Sequence, residues 1–279
     1  MKTIISVDST GDLSDEIINK YNIRVFPLTI NLGEDERLDG VTINISEMLE
    51  FVEKTKELPK TAARSRQEYF EYFSEILKEY DSIIHFSISK DMSASFSNAN
   101  SAGNDLNGKV EVVDSRSLST GIGILLLNAH DLLMQGVDFK TVAKIAREST
   151  SKVQASFVIE NLKFLHKGGR CSMVALLGAN LLKLRPSIHV IDGKMVVGKK
   201  YRGKYPDCLK SYVKDTLANF PNYDRKRVFL TYTPIDKNII EMVREMLKDK
   251  FDEILETQAG ATITCHCGPN TLGILFNNK

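Results

Sequence analysis

The chain has no excess of charge of either sign. Its 279 residues carry 37 Lys and Arg against 36 Asp and Glu, a net charge of +1. No basic stripe with interleaved aromatics runs through it, which argues against nucleic acid as a partner. It also has no long hydrophobic run. The longest apolar stretch, Ile122 to Leu127, is soon broken by Asn128, His130 and Asp131, too short to cross a bilayer. Met1 to Asp8 read directly into a strand, with no signal-peptide core or cleavage site. Cysteine is scarce: Cys171, Cys208, Cys265 and Cys267 do not make the framework of a secreted disulfide scaffold, and a cytoplasmic protein is expected. There is no Gly-x-Gly-x-x-Gly after a strand, no Walker spacing and no Gly-x-Ser-x-Gly elbow. The sequence therefore offers no motif for a dinucleotide, a P-loop nucleotide or a hydrolase nucleophile. Repeats and low-complexity segments are absent too.

What remains is an ordinary globular composition, 42% hydrophobic and 26% charged. The length allows one large domain or two ordinary ones. Thr3 to Val7 reads as a buried strand, and Ser14-Asp15-Glu16 starts a helix to about Tyr21. Arg24 to Leu32 reads as a strand and Arg37 to Ile43 as its partner in a small antiparallel excursion, about residues 24–45. Ser46-Glu47 starts a helix to about Lys56, and residues 59–65 read as a loop. Ser65 to Glu68 fits a capping box for a helix from Arg66 to Tyr80.

The most informative stretch is Ile83 to Ala99. A buried strand from Ser82 to Ile88 runs into a turn carrying Ser87, Ser89, Ser93, Ser95 and Ser97, then into a helix. Strand, hydroxyl-rich turn and helix is the start of a parallel βαβ unit. Ligands of such folds sit outside the carboxyl ends of the strands, where free helix N–H groups favour an anion. A serine before a helix is also the commonest N-cap, and both uses are open here. Two more strands end alike, at Asp8-Ser9-Thr10 and Asp114-Ser115, with Ser119 or Thr120 capping a buried helix from Gly121 to Gln135. Phe139 to Lys152 reads as an amphipathic helix.

The pattern predicts an α/β protein of two domains. Residues 1–153 form a doubly wound parallel-sheet amino-terminal domain. Residues 154–279 form a mixed-sheet carboxy-terminal domain. In the second, Ala155 to Ile159 is a strand, Leu162 to His166 a short helix stopped by Gly168-Gly169-Arg170, and Ser172 to Leu184 a helix. Pro186 to Gly198 is a hairpin about Asp192-Gly193. Arg202 to Ala218 is a helix interrupted by Pro206. A strand (Arg227 to Thr231), a helix (Lys237 to Lys248) and two strands (Ile254 to Thr257, Leu272 to Phe276) follow. Cys265-His266-Cys267, read as extended, cannot offer all three side chains to one metal, and no metal site is expected. A serine nucleophile at Ser93 or Ser95 with His266 as base is one alternative function. A binder of a small phosphorylated ligand is another.

Seven motifs in this order resemble the DegV family of bacterial fatty-acid-binding proteins: Asp8-Ser9-Thr10, Pro59-Lys60-Thr61, Ser87 to Ser97, Asp114-Ser115 with Ser119, Lys167-Gly168-Gly169-Arg170, Arg202-Gly203-Lys204, and His266-x-Gly268-Pro269-x-Thr271. The resemblance spans essentially the whole chain. It implies a non-enzymatic carrier, without cofactor, that holds a long-chain fatty acid in a tunnel between the domains. A monomer is expected, and the near-neutral charge suits a carrier that touches membranes transiently. It further implies that a separate fatty-acid kinase subunit phosphorylates the carboxylate. By the same resemblance the head group is held by Thr61, Ser93, the amides of Ala94 and Ser95, and His266, while Arg202 and His266 serve the kinase step. This chain departs from the family pattern at Ala62-Ala63, Ala94 and Asn270. Candidate tunnel liners are Phe26, Leu28, Phe96, Leu118, Ile122, Leu125, Phe157, Ile159, Leu165, Leu177 and Leu181.

Overall fold

A computed structural model describes residues 2–172 and 184–279. The first strand, β1 (Thr3–Asp8), is β-branched and buried along almost its whole length. Ser14 accepts a hydrogen bond from the Ile17 N–H and starts α1 (Asp15–Lys20). The single strand expected from Arg24 to Leu32 is divided into β2 (Arg24–Phe26) and β3 (Thr29–Leu32), which join different sheets. Pro27 lies between them and has no N–H to give a ladder. β4 (Asp35–Leu38) pairs antiparallel with β3. Asn44 and Glu47, rather than Ser46, form the capping box of α2 (Ile45–Thr55). Residues 59–65, expected as a loop, contain β5 (Lys60–Ala62), which pairs with β3 and sets Thr61 opposite Ile30. α3 (Arg66–Ile76) has the expected Ser65–Glu68 box but ends before Tyr80.

β6 (Ser82–Ser87), α4 (Ser95–Asn104), β7 (Val110–Asp114), α5 (Thr120–Met134) and α6 (Phe139–Glu148) follow. The rest comprises β8 (Val153–Ile159), α7 (Lys163–Gly168), β9 (Arg185–Ile191), β10 (Lys194–Tyr201), α8 (Tyr205–Asn219), β11 (Tyr223–Tyr232), α9 (Lys237–Leu247), β12 (Ile254–Gln258), α10 (Ala261–Cys267) and β13 (Thr271–Asn278). Gly169 ends α7 at φ 69°. Asp192 (φ 50°) and Gly193 (φ 82°) make the tight hairpin turn. Pro206 does not interrupt α8; it occupies the first turn, where no N–H is needed. The helix expected from Ser172 to Leu184 lies outside the described residues. The largest difference is α10, which was expected to be extended.

β2-β1-β6-β7 is a parallel sheet. β10-β9-β8-β13-β11-β12 is a mixed sheet, parallel only between β11 and β12. β4-β3-β5 is a small antiparallel sheet. All strands of the parallel sheet precede Val153 and all of the mixed sheet begin at or after it. One face of the parallel sheet packs on α3 and α4 through Ile4, Ile83, Tyr69, Phe73, Ala99 and Ala102. Its other face shares one core with the inner face of the mixed sheet: Ile5, Ile84 and Phe86 meet α5 through Ile122 and Leu125, and α5 meets Phe157, Phe229 and Leu275. The outer face of the mixed sheet packs on α8 and α9. The result is five layers, α/β/α/β/α, with α5 buried in the middle because it is apolar on nearly every side.

Candidate ligand-binding cavity

Parallel pairing brings the carboxyl ends of β1, β6 and β7 to one edge, and a cavity of about 210 Å³ opens there. Thr10 follows β1; Ile88, Met92, Ser93 and Ala94 connect β6 to α4; Leu118 follows β7. The small antiparallel sheet and its flanks contribute Leu28 and Thr61 to Ala63. Across the cavity stand Arg170, Met195, Thr262, Ile263, His266 and Cys267. Leu118, Ile263 and Cys267 also line a narrower apolar cavity of about 30 Å³, which reaches Phe157, Gly273 and Leu275 of the mixed sheet. A polar end and an apolar end are thus joined by shared walls.

The polar end has a definite hydrogen-bond pattern. Thr61 Oγ1 lies 2.8 Å from His266 Nε2. The ring is packed so closely against α7 that a Cβ on Gly168 would lie 2.5 Å from Nδ1. Burial, with the nearby Arg170 charge, lowers the His266 pKa to about 4, so the imidazole is neutral at pH 7. Ser93 Oγ is 2.9 Å from Ser95 Oγ and accepts from the Ser95 N–H at 3.2 Å. Thr10 Oγ1, Thr262 Oγ1 and His266 Nδ1 are buried without a hydrogen-bond partner among the described residues. Unpaired buried polar groups are expensive, and the two threonines belong to residues lining the cavity.

Four of the five site residues expected at the head group, Thr61, Ser93, Ala94 and His266, therefore line one cavity. Ser95 is fully buried just behind Ser93, and its amide is engaged by the Ser93 hydroxyl. Arg202 is exposed at the end of β10, outside the lining residues. The expected convergence of serine hydroxyls on the cavity is largely corrected by their partners. Ser87 donates to Asp8, Ser89 to the Gly193 carbonyl, Ser115 to the Ser117 carbonyl, and Ser119 to Asp12 instead of capping α5. Asp8 is itself buried and accepts from Tyr69, Ser87 and the Ile88 N–H, with His85 Nε2 at 3.2 Å. Burial would raise its pKa, but the His85, Ser87 and Tyr69 contacts hold it below the ordinary carboxylate value.

Of the expected liners, Leu28, Leu118 and Phe157 do line the cavities. Phe26 stacks on Tyr72 in the core under α3 and α4, and Phe96 is packed, partly buried, against the same core. Ile122, Leu125, Ile159 and Leu165 are core. Leu177 and Leu181 lie outside the described residues. Ile88, Met92, Met195, Ile263 and Thr262 went unrecognised, because apolar and hydroxyl residues carry no local sign of facing a cavity. Arg170 was legible as punctuation after a helix and as part of a family motif, but not as a cavity residue. His266 Nε2 is bonded to Thr61 and the Ser93 and Ser95 hydroxyls lie against each other, so the expected pairing of Ser93 or Ser95 with His266 is not formed. No group of His, Cys, Asp or Glu among the described residues could hold a metal.

A family model for DegV proteins matches residues 2–279. The chain belongs to the DegV family. A DegV domain-containing protein of Clostridium perfringens is 31% identical over 278 residues, covering 99% of this chain and 98% of the relative. One from Caldanaerobacter subterraneus is 28% identical over 282 residues, 100% and 99% of the two chains. Among solved structures, a DegV family protein of Thermus thermophilus that binds fatty acid superposes with a TM-score of 0.91 at 27% identity over the whole of both chains. A DegV family protein of Eubacterium eligens, loaded with heptadecanoic acid, shares the fold (TM-score 0.86, 20% identity, 99% and 100% of the two chains). No helix among the described residues is long and apolar enough to cross a membrane.

Proposed function

We propose that this protein is a carrier, not an enzyme, that binds a long-chain fatty acid with its carboxylate at the Thr61–Ser93–His266 end of the cavity. The hydrocarbon chain runs past Leu118 and Ile263 toward Phe157 and Leu275. The observation that carries this reading is that a cavity with hydroxyl groups in its wall shares Leu118, Ile263 and Cys267 with an apolar one. The fatty-acid-binding relative of the same fold supports it. Each buried methylene contributes about 0.8 kcal/mol, so a chain of some sixteen carbons offers roughly 12 kcal/mol before ordering costs. Thr10, Thr61, Ser93 and Thr262 can donate to a carboxylate that would otherwise be an unpaired buried charge. A neutral His266 adds a donor or an acceptor according to its tautomer.

The test is mass spectrometry of the lipid extract from protein purified without added ligand and again after incubation with palmitate and oleate. A stoichiometric fatty acid is the expected result. No acyl chain in either sample overturns the reading and favours a phosphorylated ligand. In the same proposal the bound acid is presented to a separate fatty-acid kinase, with exposed Arg202 facing that partner. Arg202→Ala is expected to retain fatty acid and to slow its phosphorylation; equal turnover of both proteins removes Arg202 from that role.

A further inference from the structure

α10 carries Thr262, Ile263, His266 and Cys267 of the cavity, and it begins at a junction between chain segments far apart in sequence. The Gly260 N–H donates to Asp12 Oδ1 at 2.8 Å, and the Ala261 N–H donates to Asp39 Oδ1 at 3.0 Å. Each carboxylate has a second donor on its other oxygen: Ser119 on Asp12, and Ser9 on Asp39 at 2.9 Å. Both aspartates are 5% exposed. A Cβ built on Gly260 would lie 3.3 to 3.4 Å from both carboxyl groups, so the two acids converge on one point of the backbone. Two like charges in one dry site are unfavourable unless something positive faces them, and here the first N–H groups of α10 do so.

From this geometry we infer that Asp12 and Asp39 are positioning residues for the ligand head group: together they clasp the start of α10 and so hold His266 against Thr61. The inference rests on the fatty-acid reading only for its consequence on binding. α10 is seven residues long, too short to hold its own orientation without tertiary contacts. Thr262, Ile263 and Thr264 also have a local preference for extended structure. The clasp reaches from the turns after β1 and β4 to a helix of the mixed-sheet half, beside the apolar packing of Ala261 and Cys265 on Ile30, Ile43 and Met48. Burial, and the neighbouring Asp39 charge, raise the Asp12 pKa well above the ordinary carboxylate value, in keeping with two acids that share one site.

The test compares Asp39→Ala with Asp39→Asn, because an asparagine carbonyl can still accept from the Ala261 N–H. The readouts are the NMR titration of the His266 ring, hydrogen exchange at Gly260 and Ala261, and palmitate affinity. In Asp39→Ala the His266 midpoint should rise from about 4 toward 6.5 as water reaches the ring. Exchange at the two amides should accelerate, and palmitate affinity should fall at least tenfold. Asp39→Asn should restore all three. If Asp39→Ala does not fold, Ser9→Ala, which removes one donor from Asp39, is read the same way with smaller shifts. An unchanged His266 midpoint together with unchanged amide protection overturns the inference. If the wild-type protein binds no palmitate, the fatty-acid reading fails, while the titration and exchange still decide the clasp.

Discussion

Ser93 and His266 illustrate how a side chain acquires a role from its neighbours. The Ser93 oxygen accepts from the Ser95 N–H and lies 2.9 Å from Ser95 Oγ; with Ser95 as the donor of that contact, the Ser93 proton can turn toward a carboxylate. Hydrogen bonds to a charged partner contribute about 1.5–3 kcal/mol. Ser93→Ala should therefore weaken palmitate binding by roughly ten- to a hundredfold, with an unchanged circular dichroism spectrum; calorimetric titration gives the number. His266 is the opposite case, a group whose folded pKa is depressed. The unfolded chain binds its proton near the ordinary 6.5 and the folded chain only near about 4. Between these values the unfolded state holds more protons, so stability falls as the pH falls. The stability that depends on neutral His266 is complete above about pH 6.5 and is lost progressively toward pH 4. Denaturant titrations at pH 4.5 and 7.5 should show a smaller loss for His266→Gln than for the wild type.

At the scale of single elements, α5 is the one on which the molecule depends most. Its early residues, from Thr120 to Leu127, are buried without a polar face, because sheets lie on both sides of it. Leu125 is 1% exposed, and Leu125→Ala should cost about 2–5 kcal/mol through the cavity it leaves, measured as a lower urea midpoint at constant slope. β5 and α10 show the converse. Lys60–Ala62 has too few residues to declare itself a strand, and the ladder of β3 makes it one. Cys265-His266-Cys267 has no helical signature of its own and lies in a helix that Asp12 and Asp39 bind at its start and that Ala261 and Cys265 pack against Ile30, Ile43 and Met48. Long periodic elements such as α6 and the Asp192-Gly193 hairpin were legible because their signals are local: apolar spacing and a turn requiring positive φ.

Across the whole molecule, the inner faces of the parallel and mixed sheets belong to one hydrophobic core. Neither sheet can expose its inner face without exposing α5. The protein should therefore unfold in a single transition, with tyrosine fluorescence and far-ultraviolet circular dichroism giving the same midpoint. Two separated calorimetric transitions would show that the halves melt independently. The cavity sits where the strand ends of the first half meet α10 and the β9–β10 hairpin of the second. It is assembled only when both are in place.

The α/β class, most of the strands and helices, the Ser65–Glu68 capping box and the family motifs were determined by the sequence itself, because each depends on residues within a few positions of one another. Thr61, Ser93 and His266, which line the cavity, could be named as candidates from those motifs. Tertiary structure alone decided that Ser87, Ser89 and Ser119 turn to internal acceptors and that Asp8 is buried beneath the site. It also decided that Thr262 and Ile263 face the cavity and that Phe26 and Ile122 do not. Such assignments depend on which face of an element meets which neighbour, a pairing made between residues up to 248 positions apart, as in the bond from Gly260 to Asp12. Local propensity carries no information about that pairing, and it arises only when both sheets close on α5.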